Sequence, residues 1–123
     1  MNFLKNLKRL KGDASSRIFF RKKSKNSSSI IVYSNKDKIS NLLNYACINK
    51  ILIKNKILAP KLISEHYSKN YIEIQDFGNQ TIFNILKKNS SNKTKTFKQI
   101  IEELIKIQSI SQRKVKNFKK KIY

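Results

Sequence analysis

The stretch GDASSRIFFR, residues 12–21, decides how the start of the chain is interpreted, because it sets a turn directly before a strand. Residues 12–16 are small or polar, and they begin with one of only two glycines, a composition typical of a turn. Residues 17–22, RIFFRK, predict a strand. The polar segment 23–28 and the β-branched run SIIVYS, residues 29–34, then predict a hairpin connection and a second strand.

The rest of the chain alternates between helix and strand patterns. Apolar residues from 37 to 56 recur with helical spacing, and Pro60 rules out a continuation of that helix. Strands are predicted from Lys61 to about Tyr67 and over 71–75, with a turn at 68–70 between them. Two more helices are predicted, from Thr81 to Lys88 and over 97–108. Residues 2–11 fit a short helix or a strand lead-in.

Length and composition indicate one globular domain at most. The chain has 123 residues, of which 39% are hydrophobic. It has no run of about 18 apolar residues and no apolar segment typical of a signal peptide, so we expect no membrane partner. The single cysteine, Cys47, lies in an apolar helical pattern, and we expect it to be buried and inert. A chain with one cysteine cannot form an internal disulfide, which favours a reducing cytoplasmic location.

The net charge of +21 has two interpretations. It can mark a protein that binds nucleic acid or another polyanion. Alternatively, it reflects composition, because Lys, Ile and Asn make up 57 of the 123 residues and all three have A/T-rich codons. Only four of the 28 basic residues are arginine, whereas direct base readout favours the arginine fork. We therefore favour the compositional interpretation, and nucleic acid remains the less favoured partner.

The turn at 12–16 also suits a phosphate ligand. Small residues let a polyanion approach the backbone N–H groups of a concave turn, and Ser15 and Ser16 add two hydroxyl donors. Arg17 or Arg21 could offer a fork to phosphate oxygens. On its own, the stretch fits an ordinary tight turn between strands as well.

Several segments together resemble a known family. The segments GDASSRIFFR, IIVYS, ILAPKLIS and YIEIQDFGNQTIFNIL, which lie between residue 10 and about residue 110, resemble the aminoglycoside-phosphotransferase-like family. The most similar branch is that of the bacterial N-acetylmuramate and N-acetylglucosamine kinases, which act on cell-wall sugars. That branch has a G-D-A-S-x-R-x-Y/F-F-R stretch and an E-D-L-G hinge. Here the hinge departs from the pattern, with Gln75 for Glu and Phe77 for Leu.

The resemblance implies a fold and a reaction. The fold is α+β, a protein-kinase-like N-lobe with a small antiparallel sheet and one packed helix, followed by helices, with the C-lobe absent from the chain. Residues 1–78 would form the nucleotide-binding lobe, with a hinge at 75–78, and residues 79–123 a helical segment leading toward the absent lobe. The full-length relative would use ATP and Mg²⁺ to phosphorylate a hydroxyl of a sugar or amino sugar. The implied ATP-binding residues are Gly12, Asp13, Ala14, Ser15, Ser16, Arg17, Arg21, Gln75, Asp76, Phe77 and Gly78.

The DFG at 76–78 has two interpretations. In protein kinases a D-F-G binds magnesium and follows an H-R-D catalytic loop. No such loop precedes Asp76, since the only histidine, His66, is followed by Tyr67 and Ser68. Its position after a strand hairpin favours a hinge between lobes, whose backbone meets adenine in similar proteins. We expect Gly78 to let the chain leave the strand there.

Other departures concern catalysis. Kinase-like folds usually have a Lys on the third strand paired with a Glu on the next helix. Strand 29–34 has no Lys, with Tyr33 near the expected place, and helix 38–56 has no acidic residue. No aspartate follows Asp76, and Glu102 and Glu103 fit the solvated side of a helix. We therefore assign no catalytic residue and no metal ligand, and expect the chain alone to be inactive and to bind ATP weakly or not at all.

Two other functions remain as alternatives. A small basic nucleic-acid-binding protein would use both basic ends and stack bases on Phe19, Phe20 and Tyr33. A non-catalytic scaffold would use the basic segment 113–123 as its contact. Its support is the apolar stripe of Val115, Phe118 and Ile122 at helical spacing, which a missing C-lobe would explain equally well. The acceptor sugar and the oligomeric state do not follow from the residues.

Overall fold

The computed structural model describes residues 7–11, 16–35, 39–88 and 92–111, and shows an α+β fold. The strands are β1 (Lys8–Arg9), β2 (Arg17–Lys23), β3 (Ser28–Ser34), β4 (Leu62–His66) and β5 (Tyr71–Gln75). The helices are α1 (Ile39–Lys54), α2 (Ile82–Lys87) and α3 (Lys93–Gln108). The short 3-10 turn Tyr67–Lys69 joins β4 to β5.

The strands form one antiparallel sheet with the order β1-β2-β3-β5-β4. Strands β1, β2 and β3 follow one another in sequence and in space. The chain then passes through α1 and returns as β4 at the far edge, so that β5 lies between β3 and β4. The β4–β5 turn closes at Asn70, whose left-handed backbone (φ 60°) suits asparagine better than most residues. The predicted turn at 68–70 is confirmed.

Helix α1 packs on one face of the sheet. The core on this face joins β3, β5 and α1, and its buried residues are Ile30, Val32, Leu42, Ala46, Ile72 and Ile74. On the opposite face Ile31 and Tyr33 are buried among partly buried neighbours, which include Ile18 and Phe20. Because β3 lies at the centre of the sheet and is covered on both faces, its apolar residues run without the polar alternation of a half-exposed strand.

The predicted elements agree closely with the observed ones. The four predicted strands and three predicted helices all form, and the undecided segment 2–11 contains strand β1, which pairs Lys8 with Arg21 and Arg9 with Phe20. Helix α3 begins at Lys93, four residues before its predicted start. The cause is its cap, because the Asn92 side chain accepts a hydrogen bond from the backbone N–H of Lys95 at 3.0 Å.

The chain divides into two compact units, Met1–Lys50 with Ala59–Asp76 and Ile51–Leu58 with Phe77–Tyr123. The described part of the first unit holds the sheet and the first twelve residues of α1, and Cys47 is buried there as predicted. The described part of the second unit holds the end of α1 together with α2 and α3. Across all the described residues, no helix is long and apolar enough to cross a membrane.

Helix α3 is amphipathic, yet none of its residues is buried. Its apolar side chains recur at a spacing that gathers them on one face of the helix. The most exposed of them, each 51–56% accessible, are Phe97, Ile101, Leu104 and Ile105. The predicted periodicity of this helix is therefore confirmed, while the apolar face that it creates stays exposed.

Candidate nucleotide-binding site

The residues predicted to bind ATP fall into three groups in the structure. Gly12, Asp13, Ala14 and Ser15 lie outside the described residues. Ser16, Arg17 and Arg21 belong to the start and middle of β2. The Gln75–Gly78 segment begins at the last residue of β5 and crosses the division between the two compact units, which falls between Asp76 and Phe77.

The structure brings together two of the predicted residues, Arg21 and Asp76, in a buried ion pair. Arg21 Nε lies 2.7 Å from Asp76 Oδ2, and Arg21 Nη2 donates to Asp76 Oδ1 at 3.0 Å. The Ser28 hydroxyl also donates to Asp76 Oδ2, at 2.8 Å. The two charged side chains are only 10% and 3% exposed. This ion pair orders the end of β5 against β2 across the intervening strand β3.

In this pair the side chains of Arg21 and Asp76 contact each other, whereas the hinge role that the resemblance implies for Asp76 involves its backbone. The Arg21 guanidinium binds the Asp76 carboxylate, whereas the sequence predicted that it could bind phosphate oxygens. The Asp76 carboxylate is held by an arginine and a hydroxyl, which is not the environment of a magnesium ligand. The aspartate of the QDFG segment is therefore a structural anchor.

Arg17, the other predicted phosphate fork, lies against α1. Its Cζ atom is 5.1 Å from the centroid of the Tyr45 ring, within the range of a cation–π contact. The adjoining Ser16 hydroxyl accepts a hydrogen bond from Asn41 Nδ2 at 3.3 Å. Burial raises the pKa of Tyr45, although the charge of Arg17 and a hydrogen bond with Asn49 act in the opposite direction. The start of β2 is thus tied to α1 by two side chains of that helix.

The predicted hinge begins with a firm attachment. The backbone N–H of Gln75 donates to the Lys61 carbonyl oxygen at 2.8 Å, and the Lys61 N–H reaches Gln75 Oε1 at 3.4 Å. An amide oxygen can accept this bond as well as a carboxylate can, so Gln75 is compatible with a position where the resembling branch has Glu. At Gly78 the backbone φ is +81°, a conformation that favours glycine, although a Cβ atom there would meet nothing within 4 Å. Backbone conformation, not crowding, explains this glycine.

Strand β3 places no lysine on the sheet face that contacts α1. Cross-strand pairing places Ile30 and Val32 on that face and Tyr33 on the opposite one. The side chain of Tyr33, which the resemblance puts near the place of the kinase lysine, points away from α1. In place of an acidic residue, α1 presents three polar residues one turn apart: Asn41, Tyr45 and Asn49. Sequence reasoning missed them, although their i, i+4, i+8 spacing was visible.

A second polar cluster lies on the face opposite α1. The carboxylate of Glu73 on β5 accepts hydrogen bonds from Ser29, Lys22 and Ser64. Burial would raise the pKa of Glu73, but these hydrogen bonds and the Lys22 charge outweigh it and hold the pKa below its ordinary value. The Ser64 hydroxyl in turn contacts His66 Nε2 at 3.1 Å. These contacts come from three other strands of the sheet, β2, β3 and β4, so the residues form a cross-strand structural cluster.

Within the described ranges, no three His, Cys, Asp or Glu residues are grouped as metal ligands would be. Comparisons of the whole chain with protein-family models, with curated proteins and with solved structures find no match.

Proposed function

We propose that this chain is the N-terminal, nucleotide-binding part of an ATP-dependent phosphotransferase that acts on a sugar or amino-sugar hydroxyl. One observation supports it above all others. The antiparallel sheet carries a single helix inserted between β3 and β4, and the QDFG segment follows β5 directly. A helix after the third strand is the arrangement that a kinase-like N-lobe implies. The proposal includes a cytoplasmic location, in keeping with the one buried cysteine.

The division of the chain supports the proposed hinge. One of the three points at which the chain passes from one compact unit to the other falls inside the segment 75–78, and Gly78 in that segment has a positive φ. In this proposal the backbone of 75–78 meets the adenine of ATP. Because Gln75 is bonded to Lys61 and Asp76 to Arg21, the start of this backbone is held in place before any ligand arrives.

The phosphate end of the proposed site rests on Ser16 and Arg17. Ser16 directly precedes β2, and Arg17 is the first residue of that strand. Each contacts a side chain of α1. Arg21 leaves the set of proposed ligands, since its fork binds Asp76. A guanidinium and a hydroxyl that directly follow the small and polar residues 12–15 in sequence suit a triphosphate.

Four carboxylates of the described residues are poor candidates for magnesium ligands, because each is already bound by other side chains. Asp76 is bound by Arg21 and Ser28, and Glu73 by residues of the opposite sheet face. Glu65 and Glu103 are paired with Lys50 and Lys106. We therefore assign Mg²⁺ to none of these four carboxylates, and we expect the 123 residues alone not to transfer phosphate.

A titration followed by nuclear magnetic resonance tests this proposal. We expect ATP to bind weakly and to shift the amide signals of 16–17 and 75–78. Arg17→Gln should weaken ATP binding by about tenfold, a loss typical of one charge-assisted hydrogen bond. Arg9→Gln is the matched control, because Arg9 is an exposed arginine of β1 paired with Phe20 on the other face of the sheet. An absence of shifts at millimolar ATP, or equal binding by both variants, would contradict the proposed site.

Turnover is a separate test of the same proposal. The purified chain, given ATP, Mg²⁺ and N-acetylmuramate or N-acetylglucosamine, should release no sugar phosphate. Robust magnesium-dependent transfer would show that the chain carries a catalytic base, contrary to our assignment.

The net charge of +21 keeps nucleic-acid binding as a second candidate function. The stacking surface predicted for it is wrong, however. Phe19 and Phe20 belong to opposite faces of the sheet, and Tyr33 is only 9% exposed. A salt titration distinguishes a true site from general basicity. A nucleic-acid site would prefer RNA or DNA over heparin, and the logarithm of its binding constant would fall linearly with the logarithm of the salt concentration. The compositional interpretation predicts weak binding without such a preference.

A further inference from the structure

The acidic residues of the first unit lie on one side of its sheet. Among the described residues of this unit they are Glu65 on β4, Glu73 on β5 and Asp76 directly after β5. Strands β5 and β4 end the sheet on that side, and β1 forms the other edge. The described residues 7–11 and 16–35, which contain β1, β2 and β3, include eight basic residues and no acidic one. Positive charge is therefore concentrated on the β1 side of the sheet.

Two of these eight cations are paired with carboxylates from the acidic side. Arg21 pairs with Asp76 and Lys22 with Glu73, at N–O distances of 2.7 and 3.2 Å. The Asp76 side chain is only 3% exposed, and its carboxylate also accepts a hydrogen bond from Ser28. The two carboxylates that contact β2 are thus already bound, and they leave other cations of this side without a compensating charge.

Three exposed lysines lie together at the β1 edge. No ion pair between described residues includes Lys8, Lys23 or Lys25. Lys8 pairs with Arg21 across β1 and β2, and Lys23 lies two residues further along β2, so Lys8 and Lys23 share one sheet face. Diagonal neighbours of this kind are about 7–8 Å apart. Lys25 lies in the turn that joins β2 to β3. We call Lys8, Lys23 and Lys25 the basic edge.

The chemistry of the basic edge suits a phosphate chain. Lysines act as point charges and bind phosphate without the planar fork with which arginine reads a base. The first exposed large hydrophobic residue in the described part of the chain is Ile48, so none accompanies the basic edge on β1 or β2. A protein partner would contact apolar or aromatic residues at the centre of its interface, and a membrane surface would contact an apolar helix face. A hydrophilic polyanion needs neither.

We infer that the basic edge binds the phosphate backbone of a nucleic acid without reading its sequence. A/T-rich codons explain the number of lysines in the chain, but they do not determine which strands carry the carboxylates. The inference rests on nucleic-acid binding, the second candidate function, and it is independent of the proposed ATP site. Arg9 is not part of the basic edge, because it pairs with Phe20 and lies on the other sheet face.

Two triple variants with the same loss of charge test the inference. One replaces the three lysines of the basic edge with glutamine, and the other replaces three exposed lysines of α3. Each lowers the net charge from +21 to +18, because each substitution removes one positive charge. Fluorescence anisotropy measures the binding of a single-stranded uridine oligonucleotide and of a DNA duplex over a range of salt concentrations, with heparin as a competitor. The substitutions are Lys8→Gln, Lys23→Gln and Lys25→Gln in the first variant, and Lys93→Gln, Lys95→Gln and Lys98→Gln in the second.

We expect the first variant to have a shallower dependence of the logarithm of the RNA binding constant on the logarithm of the salt concentration. The slope should fall by about 2, because each lysine–phosphate contact contributes about 0.7 to it on a single strand. At about 0.1 M salt this corresponds to roughly a hundredfold weaker binding. The α3 variant should keep the wild-type slope, since its lysines make no phosphate contact in this inference.

The outcomes separate this inference from both candidate functions. If the two variants lose slope and affinity equally, the inference is overturned, while nucleic-acid binding stands as a property of the whole charge. If the wild type binds neither nucleic acid at low salt, both are overturned and the ATP proposal is unaffected. Heparin that displaces the oligonucleotide at an equal concentration of charge would overturn the assignment to nucleic acid.

A second measurement covers the case in which the first variant does not fold. The amide signals of Lys8, Lys23 and Lys25 are then followed in the wild type as the uridine oligonucleotide is added. The oligonucleotide must shift these signals if the inference holds, and unchanged signals would overturn it.

Discussion

Arg21 and Asp76, 55 residues apart in sequence, form an ion pair with contacts of 2.7 and 3.0 Å, and their side chains are almost entirely buried. The pair connects β2 with the residue that follows β5. Between them runs β3, from which Ser28 donates a further hydrogen bond to Asp76. Three strands thus meet at one carboxylate, immediately before the division between the two compact units.

The first prediction concerns this pair. Asp76→Ala leaves a buried guanidinium without its carboxylate, so we expect the free energy of unfolding to fall by about 3–5 kcal/mol. Urea unfolding followed by circular dichroism measures the loss. Glu103→Ala is the control, because Glu103 pairs with Lys106 on the exposed surface of α3 and should cost about 0.5 kcal/mol or less. Equal losses in the two variants would show that the buried pair contributes no more than a surface one.

A double variant sharpens the first prediction. In Arg21→Met/Asp76→Leu both charges are replaced by apolar side chains of similar length, and no charge is left buried without a partner. We expect it to be more stable than Asp76→Ala alone, since much of the single-variant loss arises from the uncompensated arginine. A double variant as unstable as Asp76→Ala would point instead to the lost Ser28 contact.

The second prediction concerns pH. The hydrogen bonds from Ser29 and Lys22 hold the pKa of Glu73 below its ordinary value of 4.5. Ionised Glu73 therefore stabilises the fold fully above pH 4.5, and this stabilisation is lost as the pH falls through the lower pKa of the folded state. Urea midpoints measured from neutral to acidic pH should fall more steeply for the wild type than for Glu73→Gln. Glu65→Gln, which removes a surface pair with Lys50, should follow the wild type.

Much of the fold follows from local patterns in the sequence. The period-2 and helical patterns predict the four longer strands and the three helices, because each carries its own run of apolar residues. Strand β1 could not be distinguished from a helix, since only Lys8 and Arg9 pair with β2 and two residues define no period. The start of α3 was missed because its first turn, KTKT, has no apolar residue and depends on the Asn92 cap.

The candidate site was less predictable, because it depends on how distant strands align. That Arg21 faces Asp76 follows from the registers of β2 with β3 and of β3 with β5, and neither register can be read from local sequence. Likewise, a shift of one residue in the strand register would exchange the sheet faces of Val32 and Tyr33. The sequence alone therefore did not show which of the two side chains points toward α1. The spacing of Asn41, Tyr45 and Asn49 on α1 could be seen in the sequence, but their contacts with Ser16, Arg17 and Pro60 could not.

The third prediction concerns the proposed hinge. Gly78 has a φ of +81°, which disfavours any side chain even though a Cβ atom would meet no neighbour within 4 Å. Gly78→Ala should therefore cost about 1–2 kcal/mol in the free energy of unfolding through backbone strain alone. Gln80→Ala, two residues on at an exposed position, should cost little. Equal thermal midpoints for Gly78→Ala and the wild type would show that the hinge accepts another backbone conformation.

The fourth prediction concerns the exposed apolar face of α3. Phe97, Ile101, Leu104 and Ile105 are each more than half accessible, and together they form the kind of contiguous apolar surface that promotes association. We expect the chain to bind a dye that fluoresces on apolar surfaces and to self-associate with rising concentration in sedimentation experiments. Ile101→Gln should reduce both effects, because it places an amide in the middle of the face. Glu102→Gln, the neighbouring residue on the other side of the helix, should reduce neither. If the two variants behave alike, the association arises elsewhere in the chain and the face of α3 does not drive it.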